Sequence, residues 1–338
     1  MNILYISNYD AHKRIAEGWM PSHHLFGVME LIDCFDSKSS AIIKEEYGGG
    51  KIDFVSFEKP SKIDILKIYF KTMGGQYDIV YDVLNVVSKY FSVLNKWKLF
   101  RPRLVSIYHH PPFRKYMLYG KSDCSVFLTE ELMNEAKKYT KDDREIVFNN
   151  WYPDKEWYDQ NRPMLSTIKK YDFLDNGKSE RNHNLFIRCM RTMPDQKAVI
   201  VTDKNHIPTE YKDEENIDLY FQDTPNDYTM EQLCLNSKVM VIPLEEQVGK
   251  KMGPIGNTSY MDAIALGMPV VTNRNAVYAK EISENNLGVL FESTVDSMRE
   301  ALIESLDKYS VYAEKMKLFS RDHTIVEYSK KLLSYIFG

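Results

Sequence analysis

Short apolar runs alternate with helix-like segments along most of the 338-residue chain. In the first half, apolar runs bounded by turn residues predict buried strands, and apolar positions at helical spacing predict helices between them. The strand candidates are 2–7, 52–57, 79–83, 104–108 and 124–129. The helix candidates are 25–34, a segment that ends near Phe100, and 130–139. Strands separated by helices are typical of a parallel sheet with crossover connections.

The same alternation restarts after a polar, irregular region at about 151–184. The strand candidates there are 185–189, 198–202, 217–221, 239–243, 269–273 and 288–291, and the helix candidates are 230–236, 258–266 and 295–308. The pattern predicts an α/β protein with two Rossmann-like, doubly wound domains, 1–155 and 156–321, and a final helix (322–338) that rejoins the first domain. Such sheets bind ligands at the carboxyl ends of their strands, so we expect the two domains to face a central cleft.

Composition narrows the class of protein. The net charge of −4 gives no indication of a nucleic-acid partner. The four cysteines form no closely spaced pair, which favours a reducing, cytoplasmic environment over a disulfide framework. No segment approaches the ~18 apolar residues of a membrane-spanning helix. A metal site built from the histidine pairs 23–24 and 109–110 is not expected, because the pairs are far apart in sequence.

The segment 253–271 carries the most specific chemistry. Gly253 and Gly256 permit a close backbone approach, and Gly267 with Pro269 indicates where a helix ends and a strand begins. Three residues that favour a helix start follow Gly256: Asn257, Thr258 and Ser259. Because the first turn of a helix attracts anions, the segment predicts a phosphate-binding loop. A capped helix that only packs on a sheet is the alternative.

This segment resembles the donor-site signature of GT-B glycosyltransferases, especially the family 4 group. Residues 262–271 read Asp-Ala-Ile-Ala-Leu-Gly-Met-Pro-Val-Val and are similar to the second half of that signature. The resemblance implies that Asp262 replaces a Glu that contacts the donor ribose, and that Phe221 ends a strand whose following loop reads the base. Pro254 stands where the family has its first Glu.

The family usually has an Arg and a Lys after the first strand of the second domain. With that strand placed at 185–189, the candidates for binding the donor diphosphate are Arg188 and Arg191. A guanidinium group suits a phosphate because its planar fork can bind it through two hydrogen bonds. Lys250 and Lys251, directly before the donor segment, are alternatives, and ordinary surface charge is another.

Two histidine pairs and one aspartate are candidates for the acceptor side. His109 and His110 follow a predicted strand, and the resemblance implies that one of them contacts the donor sugar or lies near the reacting hydroxyl. Asp10 is a possible carboxylate base. The acceptor candidates lie in the loop after the first strand: Trp19, His23 and His24.

Residues 88–103 mix cations with aromatic and aliphatic side chains, and 63–71 is similar. Basic amphipathic helices lie on anionic lipid, so 88–103 is a candidate peripheral membrane contact; a helix with one buried and one solvated face is the alternative.

The sequence predicts a metal-independent glycosyltransferase that needs no cofactor, on the cytoplasmic side. It would move a sugar from a nucleotide-diphosphate-sugar, with a UDP-sugar and retention favoured, to a glycan or lipid-linked acceptor in bacterial polysaccharide synthesis. The alternatives are a nucleotide-sugar hydrolase or epimerase of the same fold, and a noncatalytic sugar-nucleotide-binding protein.

Overall fold

The computed structural model describes residues 1–31, 51–57, 59–83, 85, 87–110, 120–140, 146–161, 169–178, 180–221, 230–246 and 253–337. The chain divides into two compact units. Unit 1 comprises Met1–Asp154 and Thr324–Gly338, and unit 2 comprises Lys155–His323. Among the described residues, no helix is both long and apolar enough to cross a membrane.

Unit 1 is built on a six-stranded parallel sheet in the order β2-β1-β3-β4-β5-β6. Its strands are β1 (Asn2–Ser7), β2 (Lys51–Ser56), β3 (Ile79–Val83), β4 (Arg103–Tyr108), β5 (Cys124–Phe127) and β6 (Ile146–Phe148). The helices described here are α1 (Ala11–Ala16), α2 (Val28–Leu31), α3 (Lys62–Met73), α4 (Ser88–Lys96) and α5 (Glu130–Lys137), with a 3₁₀ turn at Ser22–Leu25. Because every pairing is parallel, all six carboxyl ends lie at one edge.

Unit 2 has a second six-stranded parallel sheet, in the order β12-β11-β10-β7-β8-β9. Its strands are β7 (Tyr171–Asn176), β8 (Ala198–Thr202), β9 (Ile217–Phe221), β10 (Ser237–Ile242), β11 (Val270–Asn273) and β12 (Gly288–Phe291). Its described helices are α6 (Lys155–Gln160), α7 (His183–Met190), α8 (Met230–Leu235), α9 (Asn257–Leu266), α10 (Ala279–Asn285), α11 (Val295–Asp307) and α12 (Tyr309–Asp322).

The last helix, α13 (Ile325–Phe337), belongs to unit 1. The Ile325 N–H donates to the Pro153 carbonyl at 2.8 Å, and the Asn149 side chain donates to the Tyr328 carbonyl at 3.0 Å. The Ser329 hydroxyl reaches the Gly27 carbonyl at 3.2 Å. These bonds attach α13 to residues 149–153 and to the turn before α2.

The predicted α/β class with two Rossmann-like domains is confirmed, but one strand assignment is wrong. Residues 185–189 lie in α7, not in a strand. This short helix is buried on most of its surface, so its residues form a continuous apolar run that resembles a buried strand. The first strand of unit 2 is β7, inside the region that the sequence pattern had marked as irregular. Its Asp172 and Asp175 break the apolar pattern.

Candidate functional site

The order of strands in unit 2 reverses between β7 and β10, and the loops that follow these two strands are joined by backbone bonds. The Asn182 N–H donates to the Pro243 carbonyl at 2.6 Å, and the Glu245 N–H donates to the Glu180 carbonyl at 3.1 Å. Arg181 and Leu244 form an antiparallel bridge. A point where strand order reverses is the usual ligand site of a doubly wound sheet, and here residues 180–182 are joined to residues 243–245.

Arg181 lies at this point, in the loop after β7. Its Nη2 atom donates to the Ser259 hydroxyl at 3.0 Å and to the Asn176 carbonyl at 3.3 Å. Gly177 lies directly against the guanidinium group: it has a φ of +144°, and a Cβ there would approach the Arg181 Nε to 2.7 Å. Only glycine allows this close contact, so the backbone and Ser259 together fix the position of the positive charge.

Helix α9 begins at Asn257, one residue earlier than predicted, and its N-cap is Gly256 rather than a hydroxyl or amide side chain. Gly256 has a φ of +83°, and a Cβ there would collide with the Tyr278 hydroxyl. Thr258 is exposed in the first turn, whereas Ser259 is buried and its hydroxyl also donates to the Asn176 carbonyl at 2.7 Å. Ser259 therefore links α9 to β7 and Arg181.

Asp262 lies on α9 beside the carboxyl end of β7. Its carboxylate accepts a hydrogen bond from the Tyr158 hydroxyl at 2.5 Å and one from the Asn176 side chain at 3.4 Å. Pro254, where the family has its first Glu, forms the turn before α9: its carbonyl accepts from the Asn257 N–H at 3.2 Å. Asp262 is thus held by unit 2, and its contact with a ribose stays a prediction.

The structure corrects the assignment of Arg188 and Arg191 to the diphosphate. Both lie at the end of α7, which runs back from the carboxyl edge of the sheet to its amino edge. Arg191 pairs with Glu214 at 2.6 Å and Glu210 at 3.1 Å, close to the start of β9, and Arg188 lies 3.6 Å from Glu210. The error followed from the misplaced strand, because β7 is in fact followed by Lys178 and Arg181. Lys250 and Lys251 lie outside the described residues.

A buried histidine supports the loop that carries Arg181. The His183 Nδ1 atom lies 2.6 Å from Asp175 Oδ2, and its Nε2 atom lies 2.9 Å from the Gly177 carbonyl. Asp175 is fully buried, and its Oδ1 atom has no hydrogen-bond partner in the described part of the chain. The pair connects the end of β7, the start of α7 and the glycine beneath Arg181. Sequence reasoning missed this pair because it treated both positions as irregular.

The carboxyl ends of β8 and β9 extend the same edge. Phe221 ends β9 and is half-buried, and the loop after it lies outside the described residues. At the end of β8, His206 Nδ1 lies 2.7 Å from Asp203 Oδ1. This hydrogen bond, with the nearby charge of Lys178, holds the pKa of Asp203 below its usual value. Recognition of the nucleotide's base by the loop after Phe221 stays a prediction.

In unit 1, His109 follows β4 at the carboxyl edge. Its ring meets the edge of Phe26 at 4.7 Å and of Trp151 at 6.1 Å between centroids. Burial lowers the pKa of His109 to about 3, with a smaller effect from His110. Its buried Nε2 atom has no hydrogen-bond partner among the described residues. The ring is therefore neutral near pH 7, which suits it to hydrogen bonding and makes it a weak base. His110 is exposed.

Asp10 lies in the loop after β1. It pairs with Lys13 at 2.8 Å and accepts a hydrogen bond from the Ser56 hydroxyl. The bond to Lys13 and then the bond to Ser56 hold its pKa below the usual value. Asp10 is an ionised carboxylate in this arrangement, and its role as a base stays a prediction.

The acceptor candidates separate into exposed and buried residues. Trp19 is 79% exposed, after Gly18 with a φ of +76°. His23 is buried: its Nδ1 accepts from the Asp154 N–H at 3.1 Å, and its carbonyl accepts from the Trp151 indole at 2.8 Å. The acceptor assignment of His23 is therefore corrected, because its ring is committed to the backbone of unit 1. His24 stacks on it at 4.5 Å, and burial lowers the pKa of His24 to about 4.

Behind these histidines, Glu30 is buried and accepts from the Ser22 hydroxyl at 2.8 Å. Burial, and then the nearby Asp154, raises the pKa of Glu30 to about 7. Within the described parts of both units, no three or more His, Cys, Asp or Glu side chains are grouped so that they could hold a metal ion.

Comparison with known proteins identifies a shared fold. No family model and no curated protein matches the sequence. A glycosyltransferase from Rickettsia africae ESF-5 matches with a TM-score of 0.68 and 15% identity, over 99% of this chain and 97% of that one. HepE from Anabaena, in complex with UDP and glucose, matches with a TM-score of 0.67 and 10% identity, over 99% and 98%. WaaG, a glycosyltransferase involved in lipopolysaccharide biosynthesis, matches with a TM-score of 0.61 and 12% identity, over 99% and 100%.

The chain therefore has the GT-B fold, and the predicted resemblance to GT-B glycosyltransferases is confirmed at the level of the fold. The same fold extends to a UDP-N-acetylglucosamine 2-epimerase from Neisseria meningitidis, with a TM-score of 0.54, 14% identity, and 99% of both chains covered. Since one fold hosts both chemistries, the activity has to be argued from the site.

Proposed function

We propose that the protein is a glycosyltransferase that takes a sugar from a UDP-sugar and transfers it to a glycan or lipid-linked saccharide. The observation that carries the proposal is the position of Arg181, braced by Gly177 and Ser259 beside the first turn of α9. HepE, which shares the fold, is described in complex with UDP and glucose.

Two kinds of positive charge meet at this edge of unit 2. The guanidinium group of Arg181 can bind phosphate oxygens, and the first-turn amides of α9 add the positive end of a helix dipole. Lys178, exposed in the same loop, adds a second cation. The leaving UDP gains negative charge as the glycosidic bond breaks, so fixed positive charge at its diphosphate lowers the barrier. Under this proposal, the diphosphate needs no bound metal ion.

His109 and Asp10 have different roles in the proposed reaction. His109, neutral and with an unpartnered buried nitrogen, would form a hydrogen bond with a hydroxyl of the donor sugar or acceptor. Asp10, kept ionised by Lys13 and Ser56, is the candidate to accept a proton from the acceptor. The resemblance to family 4 favours retention of the anomeric configuration, and NMR of the first-formed product would identify the anomer.

A lipid-linked acceptor would place the protein at the cytoplasmic face of a membrane. This assignment is supported by the exposed Trp19 beside the candidate site of unit 1 and by the fold shared with WaaG, which is involved in lipopolysaccharide biosynthesis. The pathway is therefore proposed to be the synthesis of a bacterial polysaccharide or glycoconjugate.

The proposal is tested first by ligand-induced stabilisation. The melting temperature of the full chain is measured with UDP, GDP, uridine and a panel of UDP-sugars. A nucleotide that binds only the folded state at 100 times its Kd adds about 2.7 kcal/mol of stability. We expect UDP to stabilise the protein more than uridine, because only UDP carries the diphosphate. The absence of a shift with every nucleotide would contradict the proposal.

The epimerase or hydrolase is the second candidate, since an epimerase shares the fold and Pro254 replaces the expected carboxylate. Incubation with the UDP-sugar that stabilises the protein most, without an acceptor, separates the alternatives. An epimerase yields a second UDP-sugar, and a hydrolase yields free sugar. A glycosyltransferase turns over only when an acceptor is added, and a noncatalytic binder shows no turnover with any acceptor.

A further inference from the structure

Helix α3 presents a row of large apolar side chains on the surface of unit 1. Ile63, Leu66 and Phe70 follow one another at three- and four-residue spacing, and each is more than half exposed. The opposite face of the helix is already buried in the core through Ile68 and its neighbours. At about 100° per residue, lysines flank the row on both sides. These lysines are all exposed: Lys62, Lys67 and Lys71.

The row continues onto the turn after α4. The Tyr69 hydroxyl donates to the Leu99 carbonyl at 3.2 Å, which holds this turn against α3. Trp97 and Leu99 are each more than half exposed, and they alternate with the exposed Lys96 and Lys98. Among the described residues, five of the twelve exposed large hydrophobic side chains belong to this one surface. Apolar exposure is therefore concentrated there, and such patches mark interaction sites.

A cavity of about 690 Å³ adjoins this surface at the amino edge of the unit 1 sheet. Arg101 and Arg103 line it with Tyr77, Gly75 and Asp78. The Arg101 guanidinium donates to the Met73 carbonyl, the last residue of α3, at 3.4 Å, so the cavity and the apolar row share one border. The Arg103 guanidinium donates to the Ile336 carbonyl of α13, so both guanidinium groups are held by backbone carbonyls. Two cations against the one carboxylate of Asp78 give the cavity a positive charge suited to a phosphate.

We propose that this surface docks on an anionic phospholipid bilayer, with Ile63, Leu66, Phe70, Trp97 and Leu99 inserted among the lipids and a lipid phosphate in the Arg101–Arg103 cavity. It deepens the membrane-side function proposed above by naming the surface and the lipid chemistry. Anionic lipid complements the lysines and arginines, whereas the whole chain carries a net charge of −4. A second copy fits less well, because a two-fold contact would bring lysine rims together.

Sedimentation with vesicles tests the proposal in the absence of donor and acceptor. The full chain is mixed with vesicles of phosphatidylcholine alone or enriched in phosphatidylglycerol. We expect binding to the phosphatidylglycerol vesicles. Ile63→Ser/Leu66→Ser/Phe70→Ser should weaken binding by at least about tenfold, through lost apolar burial. Lys62→Gln/Lys67→Gln should weaken it by about 25-fold, since each cation near anionic lipid contributes about fivefold.

The matched control is Ile303→Ser/Val311→Ser/Leu318→Ser in unit 2, whose parent side chains are 43% to 52% exposed. It should bind vesicles like the unchanged chain. Arg101→Gln should reduce the preference for phosphatidylglycerol over phosphatidylcholine. The thermal shift of the α3 variant with UDP shows whether the variant is folded and still binds the nucleotide. If the variant loses vesicle binding but keeps UDP binding, the result supports the docking surface independently of the proposed donor site.

Three outcomes would overturn the proposal. They are an unchanged chain that binds neither vesicle, a control triple that loses binding as strongly as the α3 triple, and self-association through the α3 residues that competes with vesicles. Inorganic phosphate is tested in parallel. If it stabilises the chain through Arg101 while vesicles do not bind, the cavity holds free phosphate and the membrane assignment is wrong.

Discussion

The carboxyl edges of the two sheets carry different kinds of polar side chains. In unit 2, ionised groups converge and are fixed by hydrogen bonds: Arg181 against Gly177 and Ser259, and Asp262 against Tyr158. In unit 1, His109 presents a desolvated, neutral ring, and the carboxylate of Asp10 is paired with Lys13 rather than with a fixed arginine. Positive charge suits a diphosphate, and neutral hydrogen-bonding groups suit the hydroxyls of a sugar. The difference supports a division of labour, with the nucleotide on unit 2 and the acceptor on unit 1.

The largest expected effect concerns the buried support of the unit 2 edge. Asp175→Ala leaves the buried His183 without its partner, and we expect a loss of about 3 kcal/mol in the free energy of unfolding. Urea denaturation measures it. Glu284→Ala, which removes an exposed carboxylate 3.9 Å from Lys280, is the control and should cost less than about 0.5 kcal/mol. Equal losses of unfolding free energy in the two variants would mean that the buried pair stabilises the fold no more than an exposed ion pair does.

The second prediction tests the position of the positive charge. Arg181→Ala should weaken UDP binding by about 2 kcal/mol, or about 30-fold, because it removes charge-assisted bonds to phosphate, and should leave uridine binding unchanged. Arg188→Ala is the matched control at the opposite end of α7 and should alter UDP affinity by less than about twofold. Calorimetric titration provides both numbers. If Arg188→Ala had the larger effect, the correction made from the structure would be wrong.

The third prediction concerns the neutral histidines of unit 1. His109 has a pKa of about 3 in the folded chain and near 6.5 when unfolded, so between these values the unfolded state binds the extra proton. The stability that the neutral His109 ring contributes to the folded chain is fully present above pH 6.5 and is lost as the pH falls towards 3. His109→Gln should reduce the slope of unfolding free energy against pH by about 1.4 kcal/mol per pH unit near pH 5.

Glu30 acts with the opposite sign, because its raised pKa makes the folded state bind the extra proton between about 4.5 and 7. Glu30→Gln should therefore steepen the loss of stability on acidification. Urea denaturation over a pH series tests both variants. An unchanged slope for His109→Gln would show that this ring is not buried in its neutral form.

The smallest effect is expected at Asp262. Asp262→Ala removes the predicted ribose contact and should weaken UDP binding by about fivefold, through loss of a hydrogen bond worth about 1 kcal/mol. Tyr158→Phe keeps the carboxylate and removes only its tyrosine partner, so it should have a smaller effect. Thermal shifts with UDP and uridine would separate nucleoside from phosphate contacts. Unchanged UDP affinity in Asp262→Ala would contradict the assignment of Asp262 to the ribose.

The apolar pattern predicted strands accurately where few charged residues interrupt it and failed for β7. Strands with at most one charged residue, such as β1, β3 and β8, were predicted to the residue, and α9 within one residue. Strand β7 was missed because Asp172 and Asp175 interrupt its pattern. Asp172 pairs with Lys238 at 2.8 Å and Asp175 with His183 at 2.6 Å, so partners outside the strand satisfy both side chains. The apolar pattern of the strand does not reveal those partners, because they come from other elements of the fold.

The sequence by itself determined the α/β class and the resemblance to GT-B enzymes, because these depend on local spacing and residue type. Only the tertiary structure decided which arginine lies at the carboxyl edge of unit 2, which histidines are buried and which face of α3 stays exposed. Those properties depend on strand order and on desolvation by distant residues. Arg181 and Arg188 are only seven positions apart, yet Arg181 lies in the loop before α7 and Arg188 lies in the last turn of that helix, beside Glu210.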